Sequence, residues 1–272
     1  MITLQNAFLS CSFDEKTGAL TEVDREGSRI PFDGIGFDLG CNEKNLTGVL
    51  EYDSLLENRT WNLPRIIPTK AGLEALDAVS VEQEEDRVAF TYTAGPLAVT
   101  FSYTLMDSAL KLTAKLTSSA EENQLINGVA FLVRGIDMDK ETSTFEYPGS
   151  TPAGVYSFKD YTKYRVTATD YSSPVTCLSQ SDPAVNLNVL FIDEVEKWTT
   201  SAYYDENDKL GVTNLAAVES YIKKGEEIEV GSLYLQLPGD QDKYAAIQNF
   251  YAELGYKTPD EPVADGPMYE GF

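Results

Sequence analysis

The chain has 272 residues, 24% charged and 42% hydrophobic, so it is globular in composition and long enough for one large β domain or two ordinary ones. Its 21 cationic and 44 anionic side chains give a net charge of -23. That charge repels nucleic acid phosphates and anionic lipid, so neither nucleic acid nor membrane is an expected partner, whereas neutral ligands such as sugars are unaffected. Histidine is absent from the sequence, which removes Ser-His-Asp and Cys-His mechanisms, His-ligated zinc and any imidazole base.

The dominant period is two. The stretch FDEKTGALTEV, residues 13–23, predicts strand, tight turn and strand, and SRIPFDGIGFDL at 28–39 a further strand. RVAFTYTAG at 87–95 places Val88, Phe90 and Tyr92 on one face, and LAVTFSYTLMD follows through the turn at Gly95-Pro96. ALKLTAKLTSS at 109–119 aligns Leu110, Leu112, Ala114 and Leu116, completing an antiparallel meander with one dry face. LINGVAFLVRGI at 125–136 is more fully apolar. Four later runs, 184–193, 197–205, 210–222 and 227–237, also predict strands, with turns at DENDK and KKGEE. A short helical turn at 54–58 is a weaker candidate. One helix is expected in DKYAAIQNFYAELGY, with Asp242 as N-cap, Tyr244, Ile247, Tyr251 and Leu254 at helical spacing, and Gly255 closing it. Residues 1–240 read as one β-sandwich domain, 241–256 as a helix packed on it, and 257–272 as a linker or tail.

Cys11, Cys41 and Cys177 are odd in number and lack CxxC spacing, so neither a disulfide framework nor a metal site is expected. Met1 is not followed by a basic segment and an apolar core, and the expected location is cytoplasmic. DENDK lacks the glycine and terminal glutamate of a calcium loop, and GIG at 34–36 lacks a phosphate-loop continuation. No cofactor is expected.

The opening hairpin with Thr17-Gly18, the run GPLAVTFSYTLMDSALKLTAKLTSS, the stretch VEKWTTSAYYD and the late KKGEEIEVGSLYLQL together resemble the galactose-mutarotase-like β-supersandwich domains found N-terminal in glycoside hydrolases. The C-terminal helix resembles the connector that leads from such a domain toward a catalytic barrel. The resemblance implies an all-β fold, a large two-sheet antiparallel supersandwich with one C-terminal helix, and a carbohydrate context. Galactose mutarotases use a histidine acid and a glutamate base, and without histidine that chemistry does not carry over.

Three stretches could contact sugar. STFEYPGSTPAGVYSFKDYTKYRV at 143–166 reads as a loop broken by Pro148, Gly149, Pro152 and Gly154, and carries Glu146, Tyr147 and Tyr156. Aromatic faces stack on sugar rings and carboxylates accept from hydroxyls, although a packed connection capping the sandwich end has the same composition. NRTWNLPRII offers Trp61 with Arg65, or a Trp plugging a sheet edge. FIDEVEKWTTSAYYDE offers Trp198 beside carboxylates, or a solvated strand end. The candidates are therefore Trp61, Arg65, Glu146, Tyr147, Tyr156 and Trp198, with no catalytic and no metal-binding residue assigned.

The expected function is a non-catalytic domain of a glycoside hydrolase, bracing a catalytic domain in the same polypeptide or a partner subunit and lending a sugar-contacting loop. The alternatives are a self-contained enzyme acting on carbohydrate through carboxylates and Tyr, and an assembly subunit with no sugar role.

Overall fold

The computed structural model describes residues 1–42, 44–45, 50–52, 66–68, 78–148, 154–161, 175–191, 198–216 and 220–256. The chain opens with β1 (Ile2–Gln5), β2 (Leu9–Phe13), β3 (Leu20–Arg25) and β4 (Ser28–Pro31), a four-stranded meander. Next come β5 (Gly34–Cys41), β6 (Lys44–Asn45) and the two-stranded pair β7 (Leu50–Tyr52) and β8 (Ile66–Pro68). The middle of the chain supplies β9 (Ser80–Gln83), β10 (Arg87–Ala94), β11 (Leu97–Leu105), β12 (Ala109–Ser118) and β13 (Gln124–Ile136). β14 (Ser143–Glu146), β15 (Val155–Ser157), β16 (Val175–Ser181) and β17 (Ala184–Leu190) follow. The last strands are β18 (Trp198–Tyr204), β19 (Leu210–Ala216), β20 (Ser220–Ile222) and β21 (Glu227–Gln236), ahead of α1 (Lys243–Glu253).

Apart from the separate β7–β8 pair, these strands form two facing layers. One is a nine-stranded antiparallel sheet in the order β15-β14-β16-β17-β21-β12-β11-β10-β9. The other layer is divided, which the two-sheet expectation did not foresee. A six-stranded sheet, β18-β19-β13-β5-β6 with β20 beside β13, and the N-terminal four-stranded sheet share this layer, while the edge strand β9 stays exposed. The interlayer rings show both contacts. Phe37 of β5 meets Phe101 of β11 edge-on at 5.5 Å, and Phe13 of β2 meets Tyr103 of β11 at 4.7 Å.

Alternation explains these elements. β11 buries Leu97, Val99, Phe101, Tyr103 and Leu105 and half-exposes the residues between them. β13 does not alternate because Val129 to Ile136 are buried on both faces. The sequence around Pro31 to Gly34, read as one strand, is split. β4 and β5 belong to different sheets, and the chain turns the corner at Gly34, where φ is +116° and Asp33 N–H donates to Arg134 O at 3.0 Å. The 210–222 run likewise divides into β19 and β20. The stretch 143–166 is less loop-like than its prolines and glycines suggest. Its first residues form β14 and its middle forms β15, which pair with each other; all four breakers fall between them, and 162–166 lie outside the described residues. β16, unassigned by periodicity, is buried at four successive residues, so it carries no alternating signature. The helical turn considered at 54–58 lies outside the described residues. Among the described residues no helix is long and apolar enough to cross a membrane.

The opening hairpin turns on Gly18. Asp14 accepts from the amides of Lys16 and Thr17 and from the Thr17 hydroxyl, and these bonds, the Thr17 amide first, hold its carboxyl below the usual range. Gly18 then adopts φ +71° directly against β10, where a Cβ would sit 2.1 Å from the Tyr92 hydroxyl. That hydroxyl donates to Thr17 O at 2.7 Å, pinning the turn to the core. Gly18→Ala is expected to lower stability by about 2 kcal/mol or more, since it adds overpacking to left-handed strain. Gly27→Ala, at φ +91° with nothing within 4 Å of the new Cβ, should cost about 1 kcal/mol. Urea midpoints check this, and equal losses at the two sites would contradict the packing argument.

Candidate functional site

The nine-stranded sheet has an inner face against the core and an outer face that one helix partly covers. Strand register brings five residues into a row across the outer face: Glu146 of β14 opposes Cys177 of β16, which opposes Asn188 of β17, then Gln236 of β21, then Ala109 of β12. All five are buried. Five strands at about 4.8 Å spacing make the row about 19 Å long. The 11 residues of α1 span about 16 Å and lie along it.

Each polar member of the row bonds to the helix or to a neighbour in the row. Asn188 Nδ2 donates to Gln236 Oε1 at 3.0 Å and to Lys243 O at 3.3 Å, and Gln236 Nε2 donates to Ala246 O at 3.0 Å. Glu146 forms an ion pair with Lys243 and accepts from the Tyr244 hydroxyl at 2.5 Å. Lys243 Nζ also donates to Ser179 Oγ at 3.2 Å and lies 5.3 Å from the Tyr244 ring centre. Ile247 and Phe250 fill the apolar part of the contact against Ala109, Val175, Leu190 and Tyr234, with Phe250 edge-on to Tyr234 at 5.2 Å. Burying side chains of this size contributes about 1.5–3 kcal/mol each.

The helix ends are fixed locally. Asp242 Oδ1 accepts from the amides of Tyr244 and Ala245, as its N-cap position predicts. At the far end the Tyr256 amide donates to Tyr251 O and the Gly255 amide to Ala252 O, with Gly255 at φ +86°, a Schellman closure. Ser108 Oγ donates to Glu253 Oε2 at 2.8 Å and ties down the last turn.

The sequence-predicted candidates fall in different places. Glu146 has 6% of its surface exposed and is committed to α1. Tyr147, one residue on, points to the inner face, is 2% exposed, and its hydroxyl accepts from Ala202 N–H at 2.7 Å. Tyr156 stacks on Phe145 at 5.3 Å and 25°, within an aromatic cluster that also holds Phe158 and Tyr161. Trp198 opens β18 opposite Ala216. Trp61 and Arg65 lie outside the described residues. Periodicity did not single out Asn188, Gln236, Lys243 or the Tyr244–Glu146 contact. The available signal was a polar residue at a buried strand position in each of AVNLNVL and LYLQL.

The electrostatics of the junction favour a closed latch. Tyr244's phenol is pushed from 10.0 up to about 12, first by its hydrogen bond to Glu146 and then by desolvation and the carboxylate's charge. Burial pushes the Cys177 thiol up to about 12, with Glu146 adding to the rise and Lys243 opposing it. All three cysteines are free and buried.

No protein-family model and no curated protein matches the sequence. Among solved structures, the chain is similar to the galactose mutarotase related enzyme from Lactobacillus acidophilus, at 12% identity over 89% of this chain and 98% of that one, with a TM-score of 0.58. A galactose mutarotase-like protein from Clostridium acetobutylicum shares 9% identity over 86% and 93%, with a TM-score of 0.51. The alpha-N-acetylgalactosaminidase from Bifidobacterium bifidum, solved with GalNAc, shares 10% identity over 94% of this chain and 38% of that one, with a TM-score of 0.55. The chain therefore has the galactose-mutarotase-like fold.

Two outcomes follow from the latch. Glu146→Gln keeps an acceptor for Tyr244 but leaves Lys243, only 19% exposed, without its counter-charge, and is expected to cost about 1–2 kcal/mol in a denaturant titration. Because Tyr244's folded value lies above its unfolded one, its contribution is complete below pH 10 and fades as pH rises toward 12. Stability measured across that window should fall less steeply in Tyr244→Phe than in the wild type, and identical slopes would contradict the assignment.

Proposed function

We propose that this chain is a non-catalytic, carbohydrate-associated β-supersandwich domain that braces the catalytic domain of a glycoside hydrolase, in the same polypeptide or a partner subunit. The observation that carries this reading is the closure of the Glu146 cluster. A general acid or base needs a pKa near working pH and an open path to substrate. Here the carboxylate is buried against Lys243, and its phenol partner is pushed up to about 12. Lacking histidine as well, the chain spends this carboxylate on architecture. The carbohydrate context draws support from the fold, and the bracing role from the alpha-N-acetylgalactosaminidase, of which a region like this chain makes up 38%. With Glu146 and Tyr147 bound into the fold, we assign sugar contact to Trp61, Arg65, Tyr156 and Trp198, and location to the cytoplasm.

One observation favours a second reading, a self-contained carbohydrate-active enzyme: the Lactobacillus acidophilus protein is matched over 98% of its length. A glycan array combined with turnover assays on aryl-glycosides and free sugars separates the readings. The first predicts glycan binding without turnover, weakened about tenfold by Trp61→Ala or Trp198→Ala. Turnover that disappears in Glu146→Gln would support the second reading. A chain that neither binds nor converts any sugar would leave the assembly role without a carbohydrate function.

A further inference from the structure

We propose that the solvent face of α1 is the docking surface for the braced catalytic domain, an inference that rests on the reading above. The sheet takes Ala246, Ile247 and Phe250. Tyr244, Ala245, Gln248, Asn249 and Ala252 remain exposed, and none is charged. That is a conspicuous gap in a protein of net charge -23. Lys243 is turned to Glu146, so the helix's remaining charge is Glu253 at the far end. Interface centres are depleted of Asp, Glu and Lys and enriched in Tyr. Here Tyr244 is 44% exposed at one end of the helix and Tyr256 is 53% exposed just beyond the other. Ala245 and Ala252 lie two turns apart and admit close approach between them.

Charge selects the occupant. Two copies of this chain repel each other strongly, so self-association is disfavoured. Asp240, Asp242 and Glu253 flank the uncharged stripe. The complementary surface has an uncharged centre and Lys or Arg at its rim. α1 offers a strip about 16 Å by 10 Å, well below the roughly 800 Å² per partner of a stable interface. The partner therefore extends onto the adjoining outer face of the nine-stranded sheet, where the hydroxyls of Thr100, Ser102 and Thr113 lie beside Lys111 and the Lys115–Glu227 ion pair.

A photo-crosslinking residue at position 248 of the full-length protein, in its native cells, identifies what touches the helix. The captured domain is then purified and titrated against wild type, Ala252→Arg and a control, Gln83→Arg on the exposed edge strand β9. Arg is a good helix former, so Ala252→Arg changes the surface without unmaking α1. The expected result is a crosslink to a carbohydrate-active catalytic domain whose affinity falls about tenfold with Ala252→Arg and is unchanged with Gln83→Arg. If that domain binds Ala252→Arg as well as wild type, the docking face is overturned while the bracing reading stands. If the crosslink joins two copies of this chain, the inference is overturned. If no carbohydrate-active catalytic domain associates with the protein by crosslinking or co-purification, the bracing reading itself fails and the docking face with it.

Discussion

The row Glu146, Cys177, Asn188, Gln236 and Ala109 imposes the constraint on which this structure turns. Three of its members carry polar side chains that strand pairing alone cannot satisfy. Left open, they would face water at little cost. Once buried, each needs a partner, because a buried unpaired amide or carboxylate costs several times what a bond gains. The helix supplies partners from two backbone carbonyls, one ammonium and one phenol, and among the described residues Asn188 Oδ1 is left without one. The same polar atoms that demand a helix also fix its position along the row, since an apolar contact alone would let it slide. Capping at Asp242 and closure at Gly255 match its length to the width of the row.

This use of polar residues bears on function. A carboxylate, a lysine, a tyrosine and a serine gathered within hydrogen-bond reach could pass for an acid–base centre. Here they are tied to one another and to the helix: Glu146 to Lys243 and Tyr244, and Lys243 to Ser179. The Tyr244 phenol, raised to about 12 by its bond to Glu146, is moved further from proton transfer at neutral pH. What the cluster presents to solvent is the back of α1, an uncharged strip on an acidic protein. On the reading proposed above, that strip is where another domain docks.

Much of the fold was legible because burial on one face leaves a period of two. Val88, Phe90 and Tyr92, and then Leu110, Leu112, Ala114 and Leu116, are buried as their alternation indicates. The helix was legible from its cap and its closing glycine, but of Tyr244, Ile247, Tyr251 and Leu254 only Ile247 is buried, and the sheet takes Ala246 and Phe250 beside it. Elements buried on both sides were harder. β16 and the later part of β13 have no wet face, so they carry no alternation. Prolines and glycines between β14 and β15 disguised two short strands as one loop. The site was legible only in part. Glu146 was singled out from its neighbours in sequence, but its partners stand 97 and 98 positions away, 243 − 146 and 244 − 146, and no local pattern links them. Asn188 and Gln236 stood out only as polar residues within apolar strand runs, and nothing local shows that a helix covers them.

The most direct test of this account is native-state hydrogen exchange at the backbone amides of α1. If the buried row makes the helix an integral layer of the sandwich, the amides of Ala246 to Glu253 should open with nearly the same free energy as those of β17 and β21, in one cooperative unit. Exchange of the helix amides at rates near those of an unstructured chain, with β17 and β21 still protected, would show that the row does not hold α1 and would contradict the account.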